Sequence, residues 1–218
     1  MEFVVVGSVI LAFVIVVSYR KDRASNKLNS ANNEKFATLY KLIDEGDVQG
    51  VKSILSTGIE INDWRSVRVN GYPGNGYGCL GRPPLAAVAV SRTSSLIKVK
   101  VAKYLLQAGA NINDDCSHPA IEYPSLSTPL SGACFEAEYE LAKLYLENGA
   151  NPNVLISNKL LANESKPNNA MQGALYHDSE DILQLLLDYE CSTDNAYAYA
   201  IGRAPKCAQV LQKHRVTS

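Results

Sequence analysis

The sequence predicts an all-α fold, a row of helix pairs joined by extended loops and preceded by one transmembrane helix. Three observations carry this. First, one short pattern is written three times, as ILSTGIEIND (Ile54 to Asp63), LLQAGANIND (Leu105 to Asp114) and YLENGANPNV (Tyr145 to Val154). Second, the stretches ahead of each glycine, VQGVKSILST, KVKVAKYLLQA and YELAKLYLEN, carry apolar residues at helical spacing, and the glycine supplies a left-handed C-cap. Third, FVVVGSVILAFVIVVSY fills Phe3 to Tyr19 without a charge.

That apolar run reaches the lower end of the length that spans a bilayer as a helix. RKDR (Arg20 to Arg23) follows it and only Glu2 precedes it. A secretory signal needs the opposite charge order and a small-residue cleavage site. The positive-inside rule then places everything after Tyr19 in the cytoplasm, as a single-pass membrane protein anchored by residues 1–21. Residues 22–33 are polar, rich in Asn and Ser, and read as a tether to a domain over residues 34–214.

Within that domain, EKFATLYKLIDEGDVQGVKSIL (Glu34 to Leu55) reads as a first helix pair without a proline start. RPPLAAVAVS (Arg82 to Ser91) and STPLSGACFE (Ser127 to Glu136) open helices with proline, whose missing N–H has no partner in a first turn anyway. Their small residues let one helix press closely on another. Periodicity lapses at RTSSL, Arg92 to Leu96. Asn169 to Ser192 keeps the pair but has Glu190 where glycine is expected, so Glu190→Ala should change little. Ala196 to His214 has a weak first helix, a break at Pro205 and a polar second helix.

The unit of turn, helix, loop, helix, glycine cap and extended finger resembles the ankyrin repeat. The residues that carry the resemblance are Thr128-Pro129-Leu130, Pro84-Leu85 and the Gly-Ala-Asn-x-Asn endings. It implies a solenoid of about five repeats with atypical end copies, since a terminal repeat has one face in water. The chain departs from the pattern in two ways. Ala86 and Ser131 stand where the family has His, and the glycines are 51 residues apart from Gly58 to Gly109 and 40 from Gly109 to Gly149. The surplus falls in the fingers and in Arg92 to Leu96.

The chemistry of the chain points away from catalysis. The composition, 46% apolar and 20% charged with a net charge of −1, is that of a globular protein without bias toward nucleic acid. Five scattered cysteines without a CxxC pair fit a reducing compartment. Cys116 and His118 have no second ligand pair, so no metal is expected. GYPGNGYGCLG (Gly71 to Gly81) lacks the Lys-Ser/Thr of a phosphate loop, and His118, His177 and His214 flank no nucleophile. We expect no enzyme, no cofactor and no small-molecule substrate.

What remains is recognition of a protein partner. The resemblance implies a concave surface made by the fingers and the first helices. Register places Asp44 and Glu45, Val90 and Ser91, Phe135 and Glu136, and Tyr176 and His177 at the open ends of those helices. Phe135 and Tyr176 either face a partner or pack on the next repeat. The first finger, Asn62 to Pro84, adds Trp64, Arg65, Arg68, Tyr72 and Tyr77, the residue types that dominate interface hot spots. Trp64 is either an anchor for the partner or a lid over the core. Two roles fit this architecture: a membrane-tethered adaptor, and an inhibitor or immunity protein that occludes a toxin or enzyme.

Overall fold

The computed structural model describes residues 32–66, 82–114, 128–155 and 167–217. The anchor run at Phe3 to Tyr19, most of the tether, and Arg68, Tyr72, Tyr77, Cys116 and His118 lie outside the described residues. Every regular element among the described residues is helical, and no helix among them is long and apolar enough to cross a membrane.

The helices are α1 (32–45), α2 (Val48–Leu55), α3 (Pro84–Val90), α4 (Ser95–Gln107), α5 (Pro129–Phe135), α6 (Tyr139–Glu147), α7 (Met171–Tyr176), α8 (Glu180–Asp188), α9 (Ala196–Ala200) and α10 (Pro205–Thr217). A single 3-10 turn, Asp63–Ser66, follows α2. Local chemistry explains many of the boundaries. Phe36, Leu39, Tyr40 and Ile43 fall on one face of α1, and all four are buried. The carboxylate of Asp47 caps α2 by accepting from Gly50 N–H at 2.9 Å. Pro84 and Pro129 open α3 and α5. Ser131, standing where the repeat pattern has His, closes a capping box with Thr128: each side chain accepts the other's backbone N–H.

These helices pack in two rows. In one, α3 lies on α5, α5 on α7 and α7 on α9; in the other, α2 lies on α4, α4 on α6, α6 on α8 and α8 on α10. The pairs α3–α4, α5–α6, α7–α8 and α9–α10 link the rows. In α3, Pro84 to Ala89 are all buried, as expected of a short helix covered on every side. Glycine sets the spacing at one point. A Cβ on Gly173 of α7 would lie 2.5 Å from the backbone N of Phe135 in α5, so these two helices touch backbone to backbone.

The helix ends share one solution. At Gly46, Gly109 and Gly149 the backbone is left-handed, and paired hydrogen bonds close the last turn (Ala110 N to Leu105 O and Gly109 N to Leu106 O, for example). Ala137, Asp178 and Glu190 adopt the same conformation with side chains in place, at φ 57°, 51° and 56°. Glu190, standing where glycine was expected, therefore is a left-handed cap; the bonds from Glu190 and Cys191 N–H hold it there. Gly109→Ala and Gly149→Ala should each lose about 1 kcal/mol through backbone strain alone, because nothing lies within 4 Å of the added Cβ. Glu190→Gly should gain up to about 1 kcal/mol by relieving the same strain. Thermal melting of the three variants checks this, and a lower melting temperature for Glu190→Gly would contradict it.

The repeated asparagines form a ladder from finger to finger. Asn62 Nδ2 donates to Gly109 O (2.9 Å) while its Oδ1 accepts from Asn111 N (2.8 Å). Asn113 does the same to Gly149 O (3.1 Å) and Asn151 N (2.7 Å). Asn153 repeats it with Glu190 O (3.0 Å) and Ser192 N (2.6 Å). Each amide uses a donor and an acceptor at once on the backbone of the next cap, from two separate atoms, which no aliphatic side chain does.

A buried ion pair ties the rows together lower down. Lys98 Nζ sits 2.6 Å from Glu138 Oε1 and donates to Ala89 O at 2.8 Å, and Ser95 Oγ bonds the other oxygen of Glu138. Both side chains are largely removed from water, so the extra bonds are what make the burial of two charges tolerable.

Candidate protein-binding surface

The first helices of the pairs end, in order, at Asp44–Glu45, Val90–Ser91, Phe135–Glu136, Tyr176–His177 and Ala200–Ile201. Three of these side chains form an aromatic cluster. Phe135 stacks on Tyr176 with ring centroids 4.9 Å apart and planes inclined at 24°. The His177 ring meets Tyr176 edge-on at 5.0 Å. His177 Nε2 lies 2.6 Å from Phe135 O. A carbonyl only accepts, so this nitrogen carries a proton and donates.

The cluster exists because α5 and α7 approach so closely at Gly173. Phe135 is half-buried beneath it, while Tyr176 is 63% exposed and Glu136 and His177 are also open to solvent. Rigid aromatic rings already held in place lose little rotamer freedom when a partner covers them. Ile201, 62% exposed at the end of α9, extends the row; it was missed in the sequence because AYAYAIG gives α9 no clear apolar face.

Two of the expected site residues are elsewhere. Trp64 is only 2% exposed; it belongs to the core cluster, and its Nε1 donates to the Asp114 carboxylate of the next finger. Of its two expected roles the packing one is observed, because a large apolar ring gains more from burial than from water, provided that its N–H finds an acceptor. Ser91 is also buried: its hydroxyl turns inward to Val88 O (2.8 Å) and shares a hydrogen with Thr93 (3.0 Å). Arg65 lies in the 3-10 turn beside Trp64.

Among the described residues no group of three His, Cys, Asp or Glu side chains is placed to hold a metal ion. Cys134, Cys191 and Cys207 are buried thiols, and burial raises all three; Cys191 and Cys207 are pushed up to about 12. Asp178, between α7 and α8, is titrated in two directions: burial raises it, but the N–H groups of Cys207 (2.9 Å) and Lys206 (3.3 Å) outweigh that and lower it. Its carboxylate thus caps α10 from a neighbouring pair.

No protein-family model matches this chain, and no curated protein matches it in sequence.

Proposed function

We propose that residues 34–214 form an ankyrin-type solenoid, held at a membrane by Phe3 to Tyr19, that binds a protein partner at the C-terminal ends of its first helices. The two helix rows, the proline-led helices, the left-handed caps and the asparagine ladder support the repeat reading. The RKDR flank supports a cytoplasmic domain. A reporter active only outside the cytoplasm, fused after Ser218, should stay silent.

The observation that carries the binding reading is the exposed Tyr176 ring, stacked on Phe135 and braced by His177. Trp64 and Ser91 have no part in it, and Glu136 and Ile201 border it. Anchoring in a plane raises the effective concentration of the surface for partners near the membrane. The test begins with capture from detergent-treated membranes by the wild-type chain and by Tyr176→Ala, followed by titration of the retained protein after purification. Tyr176→Ala should weaken binding by about 2 kcal/mol, roughly thirtyfold, with unchanged melting. A set of retained proteins that is the same for both chains would end this reading.

A further inference from the structure

In the row α2–α4–α6–α8–α10 the acidic and basic residues are segregated helix by helix. Helices α2 and α4 contain no acidic residue, and they present Lys52, Lys100 and Lys103 to solvent. Helix α6 mixes Glu140 and Glu147 with Lys143, α8 carries Glu180, Asp181 and Asp188 with no basic residue, and α10 is basic again with Lys206, Lys213 and Arg215. Register aligns the charges: Lys52, Lys103 and Lys143 each stand six residues before the capping glycine, at Gly58, Gly109 and Gly149. Because α2 packs on α4 and α4 on α6, these positions fall side by side.

The basic end also holds a groove of about 440 Å³ between α2 and α4, lined by Val48, Lys100, Lys103 and Tyr104 among others. Lys52 Nζ lies 5.8 Å from the centre of the Tyr104 ring. Lys41 pairs with Glu45 and Lys98 with Glu138, whereas among the described residues Lys52, Lys100 and Lys103 have no carboxylate against them. Asp47, at the start of α2, is the acidic group nearest in sequence, and it is engaged by Gly50 N–H.

We propose that this α2–α4 face docks on an anionic lipid surface, with the three lysines toward the headgroup phosphates and Tyr104 at the interface. The occupant follows from charge complementarity and from the place of the face in the chain. It is the basic end of that row nearest in sequence to the apolar run, whereas the other basic helix, α10, is the farthest from it. Choosing lipid over another polyanion rests on the membrane anchor proposed above. An aromatic ring flanked by lysines suits the boundary between headgroups and water, and each lysine near such a surface is worth roughly a fivefold gain in docking. A domain docked this way would turn its α3–α5–α7–α9 row, with Tyr176, away from the bilayer.

The chain contains one tryptophan, Trp64, which serves as the donor in a test without added labels. The full chain is reconstituted in vesicles of phosphatidylcholine alone or mixed with phosphatidylserine, both carrying dansyl headgroups. Energy transfer from Trp64 should rise in the phosphatidylserine vesicles only, and the rise should vanish in high salt. The variant Lys52→Glu, Lys100→Glu, Lys103→Glu should lose it, whereas Lys206→Glu, Lys213→Glu, Arg215→Glu on α10, with the same charge change, should keep it. Equal transfer in both lipids, equal loss in both variants, or lysine-dependent binding to heparin without any response to phosphatidylserine would overturn the proposal. Retention on phosphatidylcholine vesicles reports the anchor separately: a chain that needs phosphatidylserine to be retained refutes the anchor and leaves the lysine face standing.

Discussion

Trp64→Ala should lower the stability of the domain by about 3–5 kcal/mol, the range for removing a buried large aromatic side chain. Trp64 is almost fully enclosed, and its indole N–H bonds the buried Asp114 carboxylate across the finger interface. The truncation therefore removes packing and a charge-assisted bond together. Trp64→Phe separates the two, since it keeps most of the apolar area and loses the bond; it should lie between wild type and Trp64→Ala. Denaturant unfolding of the three proteins gives the ordering. Partner affinity below the transition should stay at the wild-type value. A Trp64→Ala protein that unfolds like wild type but binds poorly would return the ring to the partner surface.

Gly173→Val should be comparably severe, at about 3 kcal/mol or more. Its Cβ would sit 2.5 Å from Phe135 N and 2.6 Å from Cys134 C, and these are backbone atoms that no rotamer change can move away. The helices α5 and α7 would have to separate, opening space among the buried residues around them. Gly173→Ala should already melt lower, and valine lower still. Because Phe135 and Tyr176 ride on those same helices, separation should also pull the stacked rings apart and weaken binding in the folded protein. Melting of Gly173→Ala at the wild-type temperature would show that the helices are not in backbone contact.

The parts of this fold that are readable from sequence are those settled within a few residues. Pro84 and Pro129 mark helix starts, and Gly109 and Gly149 mark helix ends, because proline and glycine restrict or free the backbone wherever they stand. The Phe135–Tyr176 pair was half readable: register gave both residues matching positions, but their stacking depends on the approach of two helices at Gly173. Trp64 was undecided because its partner, Asp114, is 50 residues away. Ser91 was misplaced since a hydroxyl at a helix end can face either water or its own backbone. The conformation at Glu190 was not readable from the residue alone: the hydrogen bonds of the neighbouring turns impose the left-handed backbone and a non-glycine residue absorbs the strain.

The asparagine ladder also bears on how such a chain tolerates changes of length. Each rung fixes only the short run from the capping glycine to the second asparagine, as from Gly109 to Asn113. Register is thus reset at every rung, and residues added between a rung and the next proline-led helix shift nothing downstream. The entropy of closing a longer loop grows slowly, by about 0.6 kcal/mol for each doubling of its length. Insertions, tags or whole grafted segments joined just beyond a rung, as directly after Asp114, should accordingly enter with little loss. An insertion of one residue between Gly109 and Asn113 should do far more harm than ten residues placed just beyond it.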